Sequence, residues 1–232
     1  MRNVKAIFIK QAKDMIKNPM VLIQFIIYPV VALVMTELVV KSSEYIPANM
    51  FITMMAGIFV GMALVTSTAA VIAEDMERKS LRFLIMAGVK PHEYLAGIGG
   101  FLLCAGAVVS VVFGLIGNFT GMEFAKFLTV MIMTIAASIM LGATIGILAK
   151  NQQAATAISM PVAMIFGFAP MIASFNRTVE KVADILYTQQ LNVIVNDFSA
   201  NFAKAILVIV VNMTVLLIFF VIAYKKKGLK SG

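Results

Sequence analysis

Long apolar runs with few charged residues alternate with short charged connections along the whole sequence. Within the runs, Leu, Ile, Met, Ala and Val follow one another without the alternation of a membrane β-strand. A helix needs about 20 apolar residues to cross a bilayer. Six stretches meet this requirement, namely residues 20–40, 50–73, 95–117, 125–149, 155–175 and 203–224. The pattern predicts an all-α integral membrane protein, a six-helix transmembrane bundle forming one domain over residues 1–232.

Composition supports a membrane protein. Hydrophobic residues make up 61% of the chain and charged residues 13%, whereas charged residues are about a quarter of a typical soluble domain. The net charge of +8 comes from Lys and Arg near the ends of the apolar stretches. This distribution is typical of membrane topology and argues against nucleic-acid binding.

The connections differ in basic charge from one side of the bundle to the other. Those on the same side as both termini hold most of the Lys and Arg residues. Basic residues beside a span resist translocation. The sequence therefore predicts a multi-pass protein of the cell (inner) membrane with cytoplasmic N- and C-termini.

Two amphipathic segments flank the apolar stretches. Residues 3–17 place apolar side chains on one helical face and Lys10, Lys13 and Lys17 on the other, which predicts an interfacial helix at the N-terminus. Basic residues that serve only as a topology anchor are the alternative. Apolar residues recur at helical spacing in the outer segment 176–202, which predicts a short outer amphipathic helix before the last span.

Two glycine pairs have the spacing that lets membrane helices approach closely. Gly57 and Gly61 lie in the second apolar stretch, and Gly142 and Gly146 lie in the fourth. Packing within the chain is the favoured interpretation, and a dimer interface is the alternative.

Residues that perform catalysis are scarce. His92 is the only histidine and Cys104 the only cysteine, and no carboxylate pair or metal-ligand cluster lies in any apolar stretch. We predict no catalytic, cofactor-binding or metal-binding residue. A channel or secondary transporter would normally show charged residues near the bilayer midplane or an inverted repeat, and neither is found. A non-transporting membrane scaffold remains an alternative.

The most highly charged stretch is AEDMERKSLRFLIMAG, residues 73–88, which we call the charged segment. Its spacing predicts an amphipathic helix with Leu81, Leu84 and Gly88 on one face. Glu74 with Arg78, and Asp75 with Lys79, are predicted ion pairs one turn apart. Gly88 and Pro91 are stop signals for this helix. Both a membrane-surface connector and a docking element for a cytosolic partner fit this pattern.

The order IAEDMERKSLRFLIMAGVKPHEYLAG after the second of six spans resembles the cytoplasmic loop of type-2 permeases of ATP-binding-cassette exporters. The matching positions are the first acid Glu74, the Glu/Arg turn Glu77 and Arg78, the leucine pair Leu81 and Leu84, and the terminator Gly88. Lys79 and Ser80 depart from this family pattern, because Gly-Thr is usual there. The resemblance extends to the outer segment, where the family has short re-entrant helices.

The resemblance implies that residues 74–94 form a coupling loop for a separate ATPase subunit, which would bind ATP and Mg. The implied coupling residues are Glu74, Asp75, Glu77, Arg78, Lys79, Leu81, Arg82, Leu84 and Gly88. The chain itself has no phosphate-binding loop motif, so it is expected to be a non-enzymatic transport subunit of an ATP-hydrolysing complex. It would pair with itself or with a sibling permease. The uncharged spans favour export of a hydrophobic or amphiphilic cargo such as a drug, lipid or peptide.

Overall fold

The computed structural model describes residues 2–42, 45–47 and 49–229, except for the side chains of residues 2, 20, 81, 82, 85 and 227–229. Within this part of the chain the regular elements are all helical. The α-helices are α1 Arg2–Lys17, α2 Pro19–Met35, α3 Met50–Ile58, α4 Val65–Glu77, α5 Ser80–Met86, α6 Pro91–Ile116, α7 Gly121–Leu148, α8 Gln152–Ala173, α9 Arg177–Ala183, α10 Tyr187–Asn196 and α11 Phe202–Leu229. Thr36–Val40 and Phe59–Leu64 are π-helical.

Among the described residues, six helical stretches are long and apolar enough to cross a membrane. Spans 1 to 6 are Val21–Val40, Met50–Glu77, Pro91–Ile116, Gly121–Leu148, Gln152–Ala173 and Phe202–Lys226. The predicted all-α six-span bundle is confirmed. Spans 3 and 4 begin four residues before the predicted apolar stretches, because each helix starts with a polar first turn that hydropathy does not detect.

Spans 2 and 4 form the centre of the bundle and meet at glycines. A Cβ on Gly142 would lie 2.5 Å from the carbonyl oxygen of Val65, and one on Gly146 would lie 2.7 Å from that of Ala69. On another side of span 2, a Cβ on Gly61 would lie 2.5 Å from the backbone nitrogen of Gly167 in span 5. These three predicted packing glycines therefore lie at contacts within the chain.

Gly57 differs from the other three glycines. It is buried, yet a Cβ placed on it would meet no atom within 4 Å. Among the described residues, no close helix approach depends on a glycine at this position.

The bundle has two chemically different ends. One end, which we call the basic end, holds α1, the charged segment and the C-terminal part of α11. Side-chain hydrogen bonds join α1 to the charged segment and α11 to Val89, directly after it. The opposite end, which we call the far end, holds α9 and α10.

The predicted amphipathic N-terminal helix is α1, which packs against α6. Ile7 is buried where a Cβ on Gly97 would lie 2.6 Å from it, and the rings of Phe8 and Phe101 meet edge to face with 5.5 Å between centroids. The N-terminal helix is therefore fixed to span 3 through its apolar face.

The outer segment contains two helices. The mostly exposed α9 corresponds to the predicted amphipathic helix, whereas α10 is buried and packs against α3, α7, α8 and α11. Tyr187 anchors α10, because its hydroxyl shares a hydrogen bond of 2.9 Å with Ser138 and its ring stacks on Phe166. The apolar pattern did not predict α10, since Gln189, Gln190 and other polar residues are among its buried positions.

Candidate functional site

The charged segment folds as two helices joined by a sharp turn. Span 2 continues as α4 to Glu77, and α5 begins at Ser80. Between them Lys79 has φ +58°, in the left-handed region that glycine adopts without strain. The prediction of one helix through the segment is therefore wrong at Lys79, and the turn lies where the resembled family usually has glycine.

Glu74 and Arg78 form the ion pair predicted from their spacing. Arg78 Nη2 lies 2.7 Å from Glu74 Oε1, and the arginine is exposed. An exposed pair one turn apart contributes only about 0.3–0.5 kcal/mol. The pair therefore orders the end of α4 without anchoring it to the rest of the chain.

Asp75 is buried and is held by two other elements. Its Oδ1 accepts a hydrogen bond from Lys10 Nζ of α1, and its Oδ2 accepts one of 3.0 Å from the hydroxyl of Tyr94 in span 3. The predicted pairing of Asp75 with Lys79 is wrong, because the chain turns at Lys79 and no longer continues the helical spacing. Asp75 thus joins the foot of span 2 to α1 and to span 3.

Two further hydrogen bonds connect the charged segment and its flank to spans 5 and 6. Glu77 Oε2 accepts from the backbone N–H of Gln152, 3.2 Å away at the start of α8. The hydroxyl of Tyr224 in span 6 donates to the carbonyl of Val89, 3.1 Å away and directly after Gly88. The ring of Tyr224 also lies 5.9 Å from that of Tyr94. The segment is therefore bonded at its two boundaries to α1 and spans 3, 5 and 6.

The apolar side chains of α5 are divided between the bundle and the surroundings. Leu84 is half-buried and packs on the core. Phe83 and Met86 are 67% and 74% exposed, beside the exposed charges of Glu77, Arg78 and Lys79. The side chains of Leu81 and Arg82, two of the predicted coupling residues, lie outside the described part of the structure.

Gly88 ends this region as the sequence analysis expects. Its φ is +81°, and the N–H of Val89 bonds to the carbonyl of Leu84 at 3.0 Å. This left-handed residue after α5 reverses the chain towards Pro91 and the start of span 3.

Sequence analysis did not identify several residues of the site. Lys10, Tyr94 and Tyr224 contact the segment from distant positions, and Phe83 and Met86 form its exposed apolar surface. The i, i+3 spacing of Phe83 and Met86 was the only available signal for the exposed pair. The tyrosines stand at span ends, where aromatic residues are common for other reasons.

The side chains around the charged segment connect it to other helices of the bundle. Within the described residues, no group of His, Cys, Asp and Glu is placed to hold a metal ion. His92 is exposed and follows the charged segment. Asp75, Glu77 and Val89 lie on either side of α5 in the chain, and their hydrogen bonds connect this region to α1 and to spans 3, 5 and 6.

Six helices long and apolar enough to cross a membrane, with a charged segment hydrogen-bonded to the bundle, define a multi-pass membrane protein. The family model of the ABC-2 type transporter matches residues 2–188, which include α1, the charged segment and spans 1 to 5. The chain belongs to the ABC-2 type transporter family. The matched family model describes a membrane domain of a transporter. None of the curated proteins compared with the chain matches it.

Proposed function

We propose that this chain is the membrane-spanning permease subunit of an ATP-binding-cassette exporter, driven by a separate ATPase subunit that binds ATP and Mg. The observation that carries the proposal is the position of the charged segment. It is exposed on α5, and hydrogen bonds at its boundaries connect it to α1 and to spans 3, 5 and 6. Membership of the ABC-2 type transporter family supports it.

The exposed side of α5 has the composition of a docking surface. Phe83 and Met86 offer apolar area, and Glu77, Arg78 and Lys79, which directly precede α5 in the chain, are exposed charges of both signs. Aromatic residues, Met and Arg are enriched at protein interfaces, and mixed charges at the rim fix orientation. A groove on the ATPase subunit would bury the apolar pair and match the charges.

Asp75 is the residue through which a displacement of α5 would reach the rest of the bundle. A buried carboxylate needs its donors, because losing one leaves an uncompensated charge. Moving the foot of span 2 away from Lys10 or Tyr94 is therefore costly, so α1 and span 3 would follow span 2. The bond between Tyr224 and Val89 extends the same constraint to span 6.

The basic end is proposed to be cytoplasmic and the membrane to be the cell (inner) membrane. Lysines near this end include Lys10, Lys17, Lys90, Lys150 and Lys225. Basic residues next to spans favour the cytoplasmic side. This orientation places α5 where a cytosolic ATPase subunit can reach it.

The cargo is proposed to be hydrophobic or amphiphilic, because the spans contain few ionisable side chains. The pathway would be completed by a second copy of the chain or by a sibling permease. A channel, a secondary transporter and a scaffold are the alternatives, and no contact described above favours them.

The proposal is tested by co-expressing the chain with a candidate ATPase and purifying the pair through a tag on the chain. Phe83→Ser with Met86→Ser is expected to reduce ATPase capture by about tenfold or more, since two apolar anchors are lost. The matched control is Phe175→Ser with Met122→Ser, because these residues are 77% and 72% exposed near the far end. Equal capture by both double variants, or no capture by an intact wild-type chain, would contradict the proposal.

A further inference from the structure

A cavity of about 480 Å³ opens at the basic end, between α1, the start of α2 and the foot of span 2. Its volume falls within the range of small-molecule sites. The polar side chains that matter here are Lys10, Gln11, Asp14, Lys17, Glu74 and Arg78. The site is therefore polar and large enough for a charged headgroup.

Gln11 is the first sign that the cavity accepts a ligand. Its side chain is only 3% exposed and lines the cavity. Within the described part of the chain, no residue forms a hydrogen bond with its amide. The amide lines the cavity, so a bound group could donate to it or accept from it without displacing a protein partner.

The charged side chains of the cavity differ in how closely they are paired with opposite charges. Glu74 and Arg78 neutralise each other at 2.7 Å. Asp14 lies 3.7 Å from Lys10, which also bonds to Asp75. Lys17 forms no ion pair with any residue that the structure describes. The cavity thus offers one unpaired cation and one weakly paired carboxylate, which together match a ligand carrying both an anion and a cation.

The depth of the cavity indicates where such a ligand would come from. Pro19 and Val21 line it at the start of span 1, and Val71 lines it near the end of span 2. The ends of spans lie at the layer of lipid headgroups. Val21 and Met15 give the cavity an apolar part next to its charged side chains.

We propose that this cavity binds the headgroup of a phospholipid that carries a phosphate and a primary amine, as phosphatidylethanolamine does. The phosphate lies against Lys17 and the amide N–H of Gln11. The ammonium group donates to the carboxylate of Asp14. The bound lipid fixes α1 to the foot of span 2, and this role depends neither on the ATPase partner nor on the cargo of the proposed function.

Binding of phosphatidylethanolamine is compared with binding of three other ligands, so that four ligands are tested. Phosphatidylcholine with the same acyl chains keeps the phosphate but has no N–H to donate. Phosphatidylglycerol has the phosphate without a cation for Asp14. Soluble phosphoethanolamine has the whole headgroup without the acyl chains, so it separates a lipid source from a free phosphate source.

Native mass spectrometry of the delipidated full-length chain in detergent, titrated with each of the four ligands, measures the preference. Phosphatidylethanolamine is expected to bind at least about fivefold more tightly than the other two lipids, with the free headgroup weaker than all three, because burial of lipid chains adds affinity. Equal binding of the three lipids would overturn the proposal. So would binding of phosphoethanolamine as tight as that of the lipid.

Matched lysine variants locate the site. Lys17→Ala is expected to weaken phosphatidylethanolamine binding by about tenfold, the effect of one charge-assisted hydrogen bond. Lys13→Ala removes an exposed lysine from the same helix that does not line the cavity, so the affinity is expected to stay unchanged. Equal effects of these two substitutions would overturn the assignment.

Two further variants test the amide and the amine contact. Gln11→Leu keeps a similar volume without the amide and is expected to weaken phosphatidylethanolamine binding. Asp14→Asn is expected to abolish the preference for phosphatidylethanolamine over phosphatidylglycerol, and an unchanged preference would refute the ammonium contact. Because Lys17 and Lys13 are exposed, that pair decides the proposal even where Gln11→Leu prevents folding.

Discussion

Asp75 shows how one side chain connects three elements of the bundle. Its carboxylate is removed from solvent at the foot of span 2, where Lys10 and Tyr94 supply the hydrogen bonds that water would otherwise provide. The lysine remains partly exposed, so the pair is less costly to bury than a fully enclosed one.

Asp75→Asn is expected to destabilise the protein by about 1–3 kcal/mol, since Lys10 loses its charged partner and a buried hydrogen bond weakens. Thermal unfolding in detergent without added lipid measures the effect. Asp14→Asn serves as the control with an expected change below about 0.5 kcal/mol, because Asp14 is exposed. Equal destabilisation by both substitutions would show that the buried hydrogen bonds of Asp75 contribute nothing to the free energy of unfolding.

Lys79 and Gly88 both have a positive φ, and substitutions at the two positions are expected to change stability in opposite directions. Their φ angles are +58° and +81°. Lys79→Gly is expected to raise the free energy of unfolding by up to about 1 kcal/mol, and Gly88→Ala to lower it by about 1 kcal/mol, because a Cβ is disfavoured there. The unfolding midpoints of the two variants in detergent measure this, and a destabilising Lys79→Gly would contradict it.

At the scale of elements, the glycine contacts between spans control how closely the central helices pack. Gly142 allows span 4 to lie against the backbone of span 2, whereas Gly57 has open space beside it. The spacing of the two glycine pairs is the same in the sequence, so the difference comes from helix orientation alone.

Gly142→Ala is expected to destabilise the bundle by about 1–3 kcal/mol, because the new methyl group would overlap the Val65 carbonyl and force spans 2 and 4 apart. Gly57→Ala adds the same atom without a clash and is expected to be neutral or stabilising by up to about 1 kcal/mol. Unfolding temperatures of the two purified variants provide the test. A larger loss at Gly57 would contradict the packing described for this helix pair.

The sequence predicted those helices whose buried positions follow the periodicity of their apolar residues. The six spans and α1 belong to this class, because hydrophobicity alone places them in or beside the membrane. The break at Lys79 and the burial of α10 do not. Lys79 is a residue type that usually avoids positive φ, and α10 buries Gln189 and Gln190, which a hydrophobic pattern assigns to solvent.

At the scale of the whole molecule, the site depends on contacts between distant parts of the chain. Lys10 lies 65 positions from Asp75, and Tyr224 lies 135 positions from Val89. The family resemblance located the charged segment from local order, but only the packed bundle brings these partners to it. The sequence therefore indicated a candidate segment, and the residues that contact it are known only from the structure.

The far end is also held by long-range polar contacts. Lys204 Nζ of span 6 lies 2.6 Å from Asp184 Oδ2, and the amide of Gln190 donates to Asp184 Oδ1 at 3.1 Å. The hydrogen bond from Lys204, followed by that from Gln190, holds the pKa of Asp184 below its usual value despite the opposing effect of burial. This carboxylate therefore joins the α9–α10 connection to span 6 while it is ionised.

A carboxyl with a lowered folded-state pKa contributes stability above its unfolded pKa of about 4 and loses that stability as pH falls through the folded value. Hydrogen exchange of residues 184–190 is expected to accelerate below pH about 4 relative to the intrinsic rate. Asp184→Asn should remove this pH dependence. Hydrogen bonds from Ser199 also lower the pKa of Asp197, and this effect is the same in wild type and in Asp184→Asn. The difference between the two proteins therefore reports on the contact of Asp184 with Lys204.

Span 2 contains the π-helical segment Phe59–Leu64, and Gly61 of that segment lies against Gly167. In π winding each N–H bonds five residues back instead of four, so a turn holds about one residue more than an α-turn. Rewinding this segment as an α-helix would rotate one half of span 2 relative to the other by about 100°, the angle of one residue. The winding of Phe59–Leu64 therefore sets the direction in which the charged segment faces at the end of span 2.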